Sequence, residues 1–231
     1  MSVLDLVTME RRTISGMAAS AVAWMPDGEG LLVAAPAPDG ASAWIWRLPI
    51  GGGLPEPIMA GGADWHSPSP SPDGSMVAAI RRSSTGWELI VRDLEQSVDR
   101  VVARRAVIRK PRWSPDGRYL AWSGYERPED FESGGVWVSE VFGGKPRRLT
   151  LDGAWPVWEA GGTHLLFGRF LHNRGSWRVA LAGGSPQLVR TLEPDMKDLY
   201  LEGLDTGSSG TPILFTLSTH TGELYMMEPP D

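Results

Sequence analysis

Cysteine is absent from all 231 residues, which removes disulfides, thiolate nucleophiles and Cys-ligated zinc together. An excess of positive charge is missing as well. Lys and Arg total 22 against 28 Asp and Glu, a formal net charge of −6, so no general attraction to phosphate backbones or anionic lipid is expected. No run approaches the roughly 18 apolar residues of a membrane span, and Met1-Ser-Val-Leu-Asp-Leu6 lacks the basic and apolar regions of a signal peptide. The expectation is therefore no membrane insertion and a cytoplasmic location, or a periplasmic one if a leader has been removed.

Catalytic signatures are missing too. The four histidines, His66, His164, His172 and His220, are scattered, and no His-x-x-x-His or His-Glu-x-x-His spacing brings two together as metal ligands. There is no Gly-x-Ser-x-Gly elbow. Gly51-Gly-Gly53 joins two apolar runs with no helix N-terminus after it to hold a phosphate. Carboxylates at Glu193, Asp195, Asp198, Glu202 and Asp205 read as a solvated crossover rather than a glycosidase pair. No cofactor, metal or catalytic residue is expected.

What the chain does hold is Gly, Pro and Trp (28, 19 and 11) and a repeat. A turn recurs as Met25-Pro-Asp-Gly28, Ser71-Pro-Asp-Gly74, Ser114-Pro-Asp-Gly117 and, degenerate, Glu159-Ala-Gly-Gly162. Its period of 43 to 46 residues is that of a propeller or solenoid. Pro presets φ, Asp bonds its own backbone two residues on, and Gly accepts positive φ, so each copy predicts a hairpin. A nearly continuous apolar run follows each turn: residues 31–35, 76–80, 119–122 and 165–167, with 213–217 as a fifth. Such runs suit strands covered on both faces. Third strands end at the glycine pairs 52–53, 143–144 and 183–184, which places Trp46, Trp137 and Trp177 at one repeat position. Trp24, Trp113 and Trp158 close the first strands and form a second such position, with Pro70 standing there in the second copy. The fourth strands carry Pro or charge, as edge strands do.

Four-stranded units of this length predict an all-β chain, a single β-propeller of antiparallel blades. The blades are expected at about 17–59, 60–105, 106–150, 151–192 and 193–231. The fifth lacks an outer strand, and residues 1–15 are expected to supply it by closing the ring. The alternative is part of a six-bladed propeller.

The order Ser-Pro-Asp-Gly, aliphatic-aromatic strand, aromatic strand, Gly-Gly and Pro-Arg-Arg-Leu-Thr, most complete in residues 111–150, resembles the TolB-type propeller repeat, a relative of the WD-repeat blade. The resemblance runs over nearly the whole chain. It implies one of several roles: docking envelope partners, serving as a sensor or scaffold module, or gating a peptidase.

Strand polarity adds a functional expectation. The short Pro-Asp-Gly and Gly-Gly turns share one rim, leaving the variable loops and crossovers on the other, and loops of that kind carry binding residues disproportionately. The candidate binding residues are Trp65, His66, Tyr125, Arg127, Asp130, Phe131, Trp155, His172, Arg174 and His220. Loop 125–134 mixes two aromatics, an arginine and four carboxylates, a composition suited to a few protein-binding hot spots. The basic cluster from Arg100 to Arg112 is split between strand faces and sits in an acidic protein, so no nucleic-acid partner is expected. The reading is a non-catalytic scaffold for a protein or peptide, as a monomer or as a dimer through an open blade edge. The alternative is a carbohydrate-active or peptidase-associated module.

Overall fold

In both Ser-Pro-Asp-Gly turns the serine carbonyl accepts the glycine N–H at 2.9 Å, with Gly74 and Gly117 at φ 73° and 70°. The serine hydroxyl bonds the aspartate at 2.6 Å (Ser71–Asp73) and 2.5 Å (Ser114–Asp116), and accepts the N–H of Met76 or Tyr119 at 2.9 Å. The aspartate then accepts the N–H two residues ahead, from Ser75 or Arg118. These serine and backbone donors hold both carboxyls below the ordinary aspartate value. The two copies without the serine keep the backbone bond, Gly28 to Met25 and Gly162 to Glu159. At the serine position, Glu159 instead forms a two-pronged ion pair with Arg178 at 2.6 and 2.8 Å.

The computed structural model describes residues 2–4, 11–127, 134–169, 174–191, 200–206, 213–218 and 224–227, with side chains over 13–127, 134–169 and 174–191. Strands β1 (Ser2–Leu4) and β2 (Arg11–Thr13) pair with each other. The first four-stranded sheet is β3 (Ala21–Trp24), β4 (Gly30–Pro36), β5 (Ala43–Pro49) and β6 (Glu56–Met59). The second is β7 (Trp65–Pro70), β8 (Met76–Ser83), β9 (Gly86–Asp93) and β10 (Val98–Arg105). The third is β11 (Val107–Trp113), β12 (Tyr119–Tyr125), β13 (Gly135–Glu140) and β14 (Arg147–Arg148). The fourth is β15 (Ala154–Trp158), β16 (His164–Arg169), β17 (Gly175–Ala180) and β18 (Gln187–Thr191). A three-stranded sheet follows, β19 (Tyr200–Thr206), β20 (Ile213–Ser218) and β21 (Leu224–Met227). The architecture is all-β and antiparallel. Among the described residues the last sheet has three strands, and the segment expected to close the ring holds the β1–β2 pair. Among the described residues no helix is long and apolar enough to cross a membrane.

The chain forms two compact units, residues 1–101 and 102–231. In the first unit, Leu32, Ala34 and Ile45 of the first sheet bury against Trp65, Val77, Ala79 and Ile90 of the second. In the second unit, Ala121, Val136 and Val138 bury against Trp158, Leu165 and Phe167. Trp46, Trp137 and Trp177 occupy one register position, opposite Val33, Trp122 and Phe167. Trp122 and Trp137 stack at 5.4 Å, with the Arg105 guanidinium 4.4 Å from the Trp137 centroid. Truncating a fully buried tryptophan such as Trp122 removes about 3–5 kcal/mol.

Trp24, Trp113 and Trp158 are also equivalent, opposite Leu31, Leu120 and Leu165. Their surroundings differ: exposure is 53% at Trp24 against 7% and 4% at the other two. Trp24 lies on the face of the first sheet that carries Leu31, Val33, Ala35 and Leu48, where, among the described residues, the part-buried Ile14, Met17, Ala19, Trp46 and Ile50 pack.

Ser67, Lys110 and Trp155 have φ of 49°, 51° and 56°, each precedes a proline, and each sits in a bulge of the first strand of its sheet. Two residues there oppose one, which bends the strand and re-aims the residues beside it. Non-glycine residues at positive φ are strained and cluster at functional surfaces.

Candidate functional site

Register puts the crossovers and the second-to-third-strand loops at one end of each sheet. In the first unit, Trp65 lies opposite Arg81, which lies opposite Glu88, and Arg82 lies opposite Trp87. Arg81 Nε donates to Glu88 at 3.0 Å across the hairpin, and its guanidinium lies 5.4 Å from the Trp65 centroid. Trp65 is 2% exposed, so this candidate belongs to the core and presents no rim surface.

His66 points to the opposite face of the sheet and meets Trp87 edge-on, with centroids 5.3 Å apart and planes at 68°. Arg82 covers the same indole at 5.8 Å. His66 Nε2 stands 3.0 Å from Asp64 Oδ2, within reach of charge attraction but not aligned as a hydrogen bond. The other Asp64 oxygen accepts the Ala43 N–H at 3.0 Å and so ties the crossover to the start of β5. Partial burial pushes the Asp64 carboxyl up, but His66, the Ala43 N–H and the Arg82 charge outweigh it, and the group lies below the ordinary aspartate value. Asp64 is therefore ionised at neutral pH. Beside this pair opens a cleft of about 390 Å³, walled by small residues including Ala18, Ala34, Pro36, Ala41 and Ala43.

In the second unit, the bulge at Trp155 turns its N–H to the Ser123 hydroxyl at 2.8 Å. That brings Trp155 to the end of β12 that carries Tyr125, two residues on, with Arg127 exposed just beyond. Trp155 and Tyr125 are both half-buried. Arg174 precedes β17 at the same end, since Gly175 lies opposite Arg169. Arg169 itself bonds Asp152 at 2.9 Å and stacks on Trp177 at 3.9 Å. Two side chains from the Pro-Arg-Arg-Leu-Thr motif fasten this end. Arg148 donates to the carbonyls of Gly134, Thr150 and Leu151, and buried Thr150 accepts the Val136 N–H while donating to Asp152 O.

Asp130, Phe131, His172 and His220 lie outside the described residues. The remaining candidates fall into two groups, His66 in the first unit, and Tyr125, Arg127, Trp155 and Arg174 in the second. Sequence reasoning missed Arg82, Trp87 and Ser123. An Arg opposite a Trp across a tight hairpin is a legible signal for the first two; nothing local marks Ser123. Among the described residues no three of His, Cys, Asp and Glu gather as a metal site.

No family model matches the chain. A 68-residue stretch, 28% of the chain, is 32% identical to the Tol-Pal system protein TolB of Anaeromyxobacter sp. strain K and spans only 16% of that relative's length. Among solved structures, TolB from Acinetobacter baumannii superposes with a TM-score of 0.71 at 18% identity, over 97% of this chain and 58% of that one. A TolB-like protein from Agrobacterium tumefaciens gives 0.77 at 19% identity, over 94% and 77%. Repeat, sheet architecture and these likenesses agree that the chain is built on the TolB-type β-propeller fold.

Proposed function

We propose that this protein is a non-catalytic propeller scaffold that binds a protein or peptide on the rim bearing the crossovers and variable loops. The observation that carries the reading is the contrast between the two ends of each sheet. One end is closed by tight turns whose polar groups are mutually satisfied. At the other, part-exposed His66, Trp87, Tyr125 and Trp155 share the end of their sheets with exposed arginines such as Arg82 and Arg127, and a recurring bulge bends the first strands there. Part-exposed aromatics and arginine on a rigid frame are the usual anchors of protein recognition. The likeness to TolB propellers supports the fold that carries this rim, and fold alone does not assign activity.

The test is selection of peptides from a random phage library on the immobilised protein, followed by binding to rim variants Trp87→Ala and Trp155→Ala. A tight-turn variant, Asp116→Ala, serves as the control. Peptides that lose affinity with the rim variants and keep it with the control support the reading. Failure to select any peptide, or equal binding to every variant, refutes it.

A further inference from the structure

The cleft beside Asp64 has a chemistry more specific than the rim as a whole. Apart from Asp64 and His66, the described residues of its wall are alanine, serine, glycine and proline, and a volume of about 390 Å³ is near the lower limit of ligand sites. That space suits one side chain rather than a large ligand. Among the described residues, two titratable groups line it, Asp64 and His66. Asp64 keeps about two-fifths of its side-chain surface exposed and is charged, whereas the Nε2 of His66 is buried against it. The nearby cation, Arg82, lies over the Trp87 ring and is not part of the wall. The loop that closes the cleft carries one more carboxylate, Asp39, whose Oδ1 accepts the Ala41 N–H at 3.0 Å.

The wider field has the same sign. Residues 1–101 hold 12 acidic and 7 basic residues, a net −5, while residues 102–231 hold 16 and 15, a net −1. Most of the protein's net negative charge, −5 of −6, belongs to the unit with the cleft, and such a field steers cations toward it.

We propose that this cleft receives the side chain of a lysine or arginine from a basic segment of the partner. The aliphatic stem lies along the alanine walls and the charged head reaches the Asp64 carboxylate, the arrangement long cationic side chains adopt when stem and head need different surroundings. This assignment rests on the rim-binding reading and names the chemistry of its partner.

Three five-carbon probes separate the contributions: n-pentylamine, n-pentanol and pentanoate, followed by 1H–15N spectra of the intact protein at the amides of Ala41, Ala43 and Asp64. The amine is expected to shift these signals with saturation, and the alcohol and carboxylate to bind at least about tenfold more weakly, the worth of one charge-assisted contact. Asp64→Asn keeps an acceptor for the Ala43 N–H, so the crossover stays tied while the charge is lost, and amine affinity should fall by about tenfold. Ala41→Leu, which narrows the cleft and leaves Asp64 in place, should weaken the amine as well. Equal binding of amine and alcohol, no binding of any probe, or amine binding unchanged in Asp64→Asn would each overturn the assignment. Library-selected peptides then distinguish its failure from that of the rim. Peptides that bind the rim but tolerate Lys→norleucine leave the rim reading standing and remove the cleft assignment; amine binding with no selectable peptide removes the rim reading and the peptide identity of the ligand with it.

Discussion

Thr150→Val is the most searching single change, because it preserves shape and removes only a hydroxyl. Thr150 is buried, and its Oγ1 accepts the Val136 N–H at 2.9 Å and donates to the Asp152 carbonyl at 2.6 Å. Valine leaves the Val136 N–H, in a fully buried residue, without that acceptor, at about 1–3 kcal/mol, and the lost bond to Asp152 adds about 1 kcal/mol. The expected total is about 2–4 kcal/mol. Thr150→Ser retains both bonds and loses one methyl, at about 1 kcal/mol. Hydrophobicity and β-propensity alone would rank the two the other way, which makes the pair decisive. Urea unfolding is the assay: with a slope near 3 kcal/mol per molar, Thr150→Val should lower the midpoint by about 1 M and Thr150→Ser by roughly a third of that. A valine variant at least as stable as the serine one would refute the view that this hydroxyl fastens the crossover.

Gly153→Ala should destabilise by about 2–4 kcal/mol in the same assay, since its φ is +91° and a Cβ would lie 2.4 Å from the buried Phe167 ring. Trp158→Ala should cost about 3–5 kcal/mol and Trp24→Ala under half of that, following their exposures of 4% and 53%; equal losses would mean that Trp24 is covered in solution. Asp73 and Asp116 have folded-state values below the ordinary one, so the unfolded chain binds protons first as pH falls. Their stabilisation is complete above the ordinary aspartate value of 3.8 and disappears below it as pH falls through the folded values. The double variant Asp73→Asn/Asp116→Asn should therefore show a flatter stability profile below the ordinary aspartate value of 3.8 than the parent; an unchanged slope would show that these turns do not contribute to acid unfolding.

Features with local causes were legible before any coordinates. The Pro-Asp-Gly turns, the apolar second strands and the shared position of Trp46, Trp137 and Trp177 all follow from residues within a few positions of one another. Where the cause is distant, reading failed. Trp24 and Trp158 share a motif and a register, yet one is exposed and one buried, because burial depends on what packs over the strand. Nor is the positive φ at Ser67, Lys110 and Trp155 visible locally: proline narrows the choices of the residue before it without selecting this one. At the site, His66 and Trp155 were identifiable as crossover residues, but their partners Trp87 and Ser123 arrive from other strands. Trp65 shows the limit most plainly: its neighbour in sequence faces the rim while alternation sends its own indole into the core.

The Ser-Pro-Asp-Gly turn has a consequence for how such a chain is acquired and altered. Every bond that holds it, from the serine carbonyl to the Met76 or Tyr119 amide, closes within six consecutive residues. Low sequence separation lets a hairpin form early and without help from the remainder of the chain. A sheet that carries its own folding instructions can be copied, lost or allowed to drift, as the Glu159–Arg178 replacement in the fourth sheet illustrates. Gene duplication can therefore change the number of blades while selection acts separately on the opposite rim.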